Sequence, residues 1–431
     1  MKISKKIAIA AIPAVMALAS TNVDSKILLM SQEGWEVSFD GAANAFVMKN
    51  SVSDAPTDSG GTRTAFDSYA GVTGGNDDTS ILTGLLPNVW GMTLKAPTAN
   101  GLDVSMRLGL YTHLNGGENS LGNGQINIRE TSGSVSGFFG TVLAGRSLGI
   151  HQSNAILNDM LLFGVGAAGN ADQSNTSLGR IGAGYLYTDF KPQISWTLPD
   201  LGSGFNAKVA LFDPDDIAAD TATFSATDKS SPRVEAQITW NGDFFQTGLG
   251  VNLWVDGSYQ NTERSAAEAT LVANSALAGA DEDSDVDSAG VGFGTKLSYE
   301  GFALVATGFY GTGMGMRGQH STGTAQTETG ALDDAGKERK SYGGYIQGTF
   351  DFGQGTAVGY SYGGNFMKKT GRDMNTTGVL NGQTMHSGMI WHNVTDNFRL
   401  VAEGGYTERM HYLADTDQED SFGGVGAFFF W

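Results

Sequence analysis

The sequence contains no cysteine, only 8 prolines in 431 residues, and few bases, with 26 Lys and Arg against 45 Asp and Glu. Without cysteine there can be no disulfide framework, thiolate metal site or cysteine nucleophile. The prolines are scattered and no Pro-rich or Ser/Gly linker separates regions of different composition, so a single domain is expected despite a length that allows two or three. Past residue 35 there is no run of about eighteen or more apolar residues, which excludes a transmembrane helix and leaves strands as the only route into a bilayer. A net charge of -19 speaks against a nucleic-acid partner.

The N-terminus reads as a secretory signal peptide over residues 1–19, with Lys2, Lys5 and Lys6, an apolar run from Ile7, and Ala17-Leu18-Ala19 as a small-residue cleavage site. Its removal would take the charge from -19 to about -22. Residues 20–33 are expected as a short lead, and 34–431 as one domain.

Alternation dominates that domain. In "GLDVSMRLGLYTHL" (101–114), Leu102, Val104, Met106, Leu108 and Leu110 share one face, and Asp103, Ser105, Arg107, Tyr111 and His113 share the other. This period of two defines a strand with an apolar and a polar side. It recurs in 291–300, 341–352 and 398–411.

Sixteen strands are expected, near 34–47, 83–95, 101–114, 125–135, 137–147, 187–198, 204–212, 232–241, 244–258, 289–300, 301–313, 340–352, 355–367, 383–395, 397–411 and 420–431. Tight turns such as "APTANG", "PDLGSG", "NGD", Glu300-Gly301, "FGQG" and "TDN" alternate with long connections. A soluble sandwich has no reason to sort its loops by length. An all-β transmembrane antiparallel barrel does, because it turns tightly on its periplasmic side and carries long loops outside. Closure follows from the solvent, since hydrocarbon offers no partner to an open sheet edge.

The whole mature chain resembles the Gram-negative general porins. The resemblance is carried by the signal peptide, "GWEVSFDGAANAFVMKN" (34–50), "GSVSGFFGTVLAGRSLGI" (133–150) and the aromatic end "SFGGVGAFFFW" (421–431). It implies a barrel of about 16 strands, usually a homotrimer in the outer membrane among lipid and lipopolysaccharide. Such a barrel passively admits small hydrophilic solutes, with the third long loop folded into the lumen. It implies neither enzyme activity nor a cofactor. A solute-specific porin, for example sugar-selective, is the main rival, with a barrel adhesin or outer-membrane enzyme behind it.

For the constriction, the resemblance points to acids on the third long loop (148–186), where only Asp159 and Asp172 stand, and to bases on the wall. Alternation puts Arg107, Arg129 and Arg146 on polar faces of the third to fifth strands. The greasy stretch "AILNDMLLFGVG" (155–166) is unusual for such a loop. Packed on the wall, it would leave Asp159 to face water; otherwise it would form an apolar constriction. Acidic loops, including "DEDSDVD" (281–287), would favour cations weakly at the mouth.

That acidic stretch lacks the Gly and terminal Glu of an EF-hand, so no metal site is assigned. There is no phosphate loop or H-E-x-x-H, and "GSVSG" (133–137) has Val135 where a nucleophile elbow needs Ser. At the C-terminus, Val425, Ala427, Phe429 and Trp431 match the alternation read by the outer-membrane assembly machinery in the family resembled. Phe428 and Phe430 do not follow from it; they are expected to fill the base of the lumen or to meet a neighbouring subunit.

Overall fold

A computed structural model describes residues 26–54, 77–114, 126–167, 176–219, 225–265, 268–270, 285–320, 330–333, 335–371, 373, 380–412 and 417–431. The signal-peptide region, Asp172 and Asp281 to Asp283 lie outside the described residues. The strands are β1 (Ile27–Gln32), β2 (Trp35–Val52), β3 (Asp77–Leu82), β4 (Asn88–Lys95), β5 (Asp103–Thr112), β6 (Ile126–Gly137), β7 (Gly140–Leu148), β8 (Phe190–Thr197), β9 (Phe205–Phe212), β10 (Arg233–Asp243), β11 (Gly250–Glu263), β12 (Asp285–Tyr299), β13 (Phe302–Thr312), β14 (Lys340–Asp351), β15 (Thr356–Lys368), β16 (Leu380–Thr395), β17 (Phe398–His411) and β18 (Gln418–Phe430).

Each neighbouring pair is antiparallel, and β18 returns to β2 with Phe430 opposite Ala42 and Asp420 opposite Val52. The ring is therefore closed. Two reciprocal hydrogen bonds extend the seam, Gly41 N–H to the Trp431 carbonyl (2.9 Å) and Trp431 N–H to Gly41 (3.1 Å). Position 41 has to be glycine, because a Cβ there would lie 2.2 Å from the Val89 carbonyl and 2.5 Å from the Trp431 ring.

The ring has sixteen places because β3 and β4 share one. β3 pairs with the upper part of β2 (Phe46 to Ser51) and β4 with the lower part (Glu36 to Ala42). One strand is expected from 83 to 95 by alternation. The ladder breaks instead at "TGLLP", where Pro87 lacks an N–H to donate and Leu85 and Leu86 turn into the lumen. Asn44 caps the gap: its Oδ1 accepts Gly84 N–H (2.8 Å) and its Nδ2 donates to the Leu86 carbonyl (2.8 Å).

Two further differences concern short connections. The lead at 20–33 contains β1, which forms a hairpin with the start of β2 through Glu33-Gly34. Its "ILLM" run is exposed throughout, so no alternation marked it as a strand. The turn expected at "NGD" lies at 244–249, because Asn241 and Asp243 stay in the ladder opposite Asn252 and Gly250. The Asp243 carboxylate closes that turn by accepting Gly248 N–H (3.0 Å).

Faces follow the alternation. Val47, Met106, Ile194, Val255, Phe293, Ile346, Ile390, Leu400 and Val425 are exposed on the outside, and this surface suits hydrocarbon. Arg399, Glu403, Arg409, Asp256, Glu235 and Gln347 are buried on the inside.

Above the barrel, Arg339 ties loops together, donating to Asp373 from Nε (3.0 Å) and Nη2 (2.5 Å) and to the carbonyls of Gly330 (3.0 Å) and Leu332 (2.9 Å) from Nη1. Burial pushes the Asp373 carboxyl up, but the Arg339 hydrogen bonds and charge outweigh it and hold it below its ordinary 3.8. A depressed folded value stabilises above the unfolded one and is lost as pH falls through the folded one. Protease cleavage within 313–339 is therefore expected to stay flat from pH 7 to about 5 and to rise only below about pH 4. A rise between pH 7 and 5 would count against this tie.

Candidate functional site

The third long loop folds into the lumen as expected, carrying helix α1 (Ser153–Asn158) and a 3-10 turn (Met160–Phe163). It is held by wall groups from one side of the barrel to the other. Glu235 accepts the N–H groups of Ile150 (2.7 Å) and His151 (2.8 Å), and Asp256 accepts Gln152 N–H (3.0 Å) and lies 2.6 Å from His151 Nδ1. Tyr345 donates to the Ala155 carbonyl (2.7 Å), and Gln347 accepts Met160 N–H (2.8 Å) while donating to Asn158 (3.0 Å). Glu403 accepts Val165 N–H (2.9 Å) and Gly166 N–H (2.7 Å). At the break in the wall, Leu85 N–H donates to the Gly164 carbonyl (2.9 Å).

The apolar run of this loop packs on the wall. Phe163 meets Phe428 edge-on at 5.6 Å and Phe430 at 6.2 Å, and those two rings stack on each other at 5.6 Å. Arg399 caps the cluster, 5.1 Å from Phe163 and 5.4 Å from Phe430. The inward pair of the C-terminal aromatics is thus the floor on which the loop sits.

Asp159 does not face water. It is 3 % exposed and lies 3.8 Å from Arg180, accepting from Tyr185 Oη (2.8 Å) and Leu161 N–H (3.0 Å). Arg180 in turn donates to the carbonyls of Ala183 (3.3 Å) and Met385 (3.2 Å) and to Ser361 Oγ. Because the greasy run buries itself against the wall, the acid within it is carried inside and needs a buried cation.

The three arginines differ in state. Arg107 is bidentate to Asp40 (2.6 and 2.8 Å) and reaches Glu130 (3.4 Å), so its charge is cancelled. Room for this group comes from Gly91 and Gly109, where a Cβ would meet Asp40 Oδ1 and Glu130 Oε2 respectively, each at 2.5 Å. A β-bulge opposite Gly109 and Leu110 brings Glu130 inward beside Arg129. Arg129 lies over the rings of Tyr111 (5.2 Å) and Phe190 (5.8 Å) and donates to Tyr187 Oη (3.4 Å). Arg146 stands half-buried on β7, opposite Thr131 and Pro192.

Among the described residues neither Arg129 nor Arg146 has an ion pair, and nor does Lys208 on β9. Among the described residues, the carboxylates facing these bases and the loop are engaged. Asp40 and Glu130 serve Arg107, Asp159 serves Arg180, and Glu235, Asp256 and Glu403 hold the loop. Sequence reasoning missed those three anchors; their signal was an acid on the inward face of a strand.

No protein-family model matches the sequence, and no curated protein does. Solved structures do match in fold. The outer membrane channel DcaP of Acinetobacter baumannii superposes with a TM-score of 0.63 at 14% identity, covering 94% of this chain and 99% of that one. The chain has the fold of outer-membrane porins. The anion-selective porin from Comamonas acidovorans gives 0.58 at 14% identity, covering 92% and 100%. Salmonella typhi OmpF in complex with daunomycin gives 0.53 at 13% identity, covering 93% and 99%.

Proposed function

We propose that the protein is an outer-membrane channel for passive diffusion of small hydrophilic solutes, without enzymatic activity. The observation that carries this reading is the sorting of side chains by a closed barrel, apolar outside and charged inside. We further propose a homotrimer, supported by a concave apolar surface on the outside, lined by Val47, Ile81, Ile390, Leu400, Ala402 and Val425. The outward series Val425, Ala427, Phe429 and Trp431 is proposed as the signal for the assembly machinery. Stepwise conductance in a planar bilayer tests the channel, and protein that gives no steps would end it.

Ion preference is proposed to have two layers. Acidic loops concentrate cations at the mouth in dilute salt, whereas the unpaired Arg129, Arg146 and Lys208 favour anionic solutes within. Raising salt from about 0.01 M to 1 M shrinks the screening length from about 30 to 3 Å, which silences the rim before the wall. Reversal potentials are expected to move from cation-selective to anion-selective as salt rises, and in R129A/R146A to move only as far as weak or no selectivity, because the rim is still screened but most of the wall charge is gone. Unaltered selectivity in the double variant would refute the inner layer.

A further inference from the structure

The outside of β14 and β15 has an ordered vertical sequence. From Tyr342 through Ile346 to Phe350 and Phe352, the outward side chains are apolar and exposed. Ten residues of tilted strand make this band about 25 Å tall, the height of a bilayer's hydrocarbon layer. Aromatic pairs mark both ends: Tyr342 stacks on Phe366 at 5.6 Å, and Phe350 meets Phe352 at 5.0 Å. The next outward position on each strand, one step beyond the upper pair, is a lysine. Lys340 and Lys368 are directly opposite in register and both exposed.

Like charges facing each other across a ladder repel, with Cβ atoms about 5 Å apart. In a chain with 45 acids to 26 bases, a carboxylate neighbour would be the easy remedy. None is provided: among the described residues neither lysine has an ion pair, and the nearby Asp373 is taken by Arg339. Lys368 Nζ instead lies 6.0 Å from the Tyr342 ring, and the adjacent Lys369 lies 4.6 Å from that of Tyr412. Elsewhere on the outer face the pattern differs, with Lys49 beside Asp77 at 4.0 Å.

We propose that Lys340 and Lys368 form a binding site for the phosphate of a lipid headgroup in the leaflet facing the long loops. The two lysines share one register position at headgroup depth, within reach of a single phosphate, which would turn their repulsion into shared attraction. The occupant is a lipid because the site sits directly on the apolar band, where acyl chains would lie against Tyr342 and Ile346. The site rests on the barrel being membrane-embedded and is independent of what crosses the lumen.

The test is native mass spectrometry of the full-length barrel in detergent, titrated with a bis-phosphorylated lipid A, with its dephosphorylated form, and with inorganic phosphate. K340Q/K368Q is expected to weaken binding of the phosphorylated glycolipid about thirtyfold, and K49Q to change it less than about threefold. Equal binding by K340Q/K368Q, equal binding of the dephosphorylated form, or displacement by equimolar inorganic phosphate would each overturn the site. If the double variant does not fold, the comparison of the two glycolipids on the native chain decides. Heat-modifiable migration on a gel checks the barrel separately, so loss of the membrane reading is not confused with loss of the site.

Discussion

Arg180→Ala is expected to unseat the third loop while leaving the barrel closed. Arg180 is fully buried and is the cation beside Asp159, a carboxylate with no measurable exposure of its side chain. Removing one member of a buried pair leaves an uncompensated charge and costs about 3–5 kcal/mol. Two backbone carbonyls, Ala183 and Met385, lose their donor in the same step. The barrel has no such dependence, because its ladder bonds do not pass through the loop. The expected results are lower thermal stability in detergent and larger, noisier conductance steps. D159N added to R180A should recover part of the stability by removing the orphaned charge. Native stability and quiet native steps in R180A would show that the pair does not hold the loop.

Phe428→Ala with Phe430→Ala is expected to weaken the same seat from below. Phe428 is completely buried and Phe430 nearly so, and both touch Phe163. Truncating a buried Phe costs about 3–5 kcal/mol, with the lower end expected at a site that water can enter. Phe429, between them, is half-exposed on the outside and stacks on Phe398 at 5.0 Å. F429A should therefore lower the yield of assembled barrel without changing channel noise, whereas F428A/F430A should raise channel noise in barrels that do assemble. If the two variants behaved alike, the division of the C-terminal strand into an outward and an inward role would be wrong.

The barrel was legible because a period of two survives wherever one side of a strand meets lipid and the other meets the lumen. Sequence reading failed where that contrast disappears: "ILLM" in β1 is exposed on both sides, and "TGLLP" between β3 and β4 turns inward under the loop. Arg107, Arg129 and Arg146 could be assigned to the lumen by alternation alone. Their charge state could not, because Asp40 is 67 residues from Arg107 and Glu130 reaches it through a bulge. Asp159, Arg180 and Tyr185 meet inside an irregular loop, where no period links sequence separation to distance.

The loop's attachments also have a mechanical side. A sheet closed by hydrogen bonds resists stretching around its circumference but bends readily across the strands, so an empty cylinder of this width could flatten under lateral pressure. The chain between Ile150 and Gly166 is fixed to β10 and β11 near one end and to β17 and the β3–β4 break near the other. Placed so, it is a tie rod across the opening, and in the proposed channel it would set the cross-section that a solute meets.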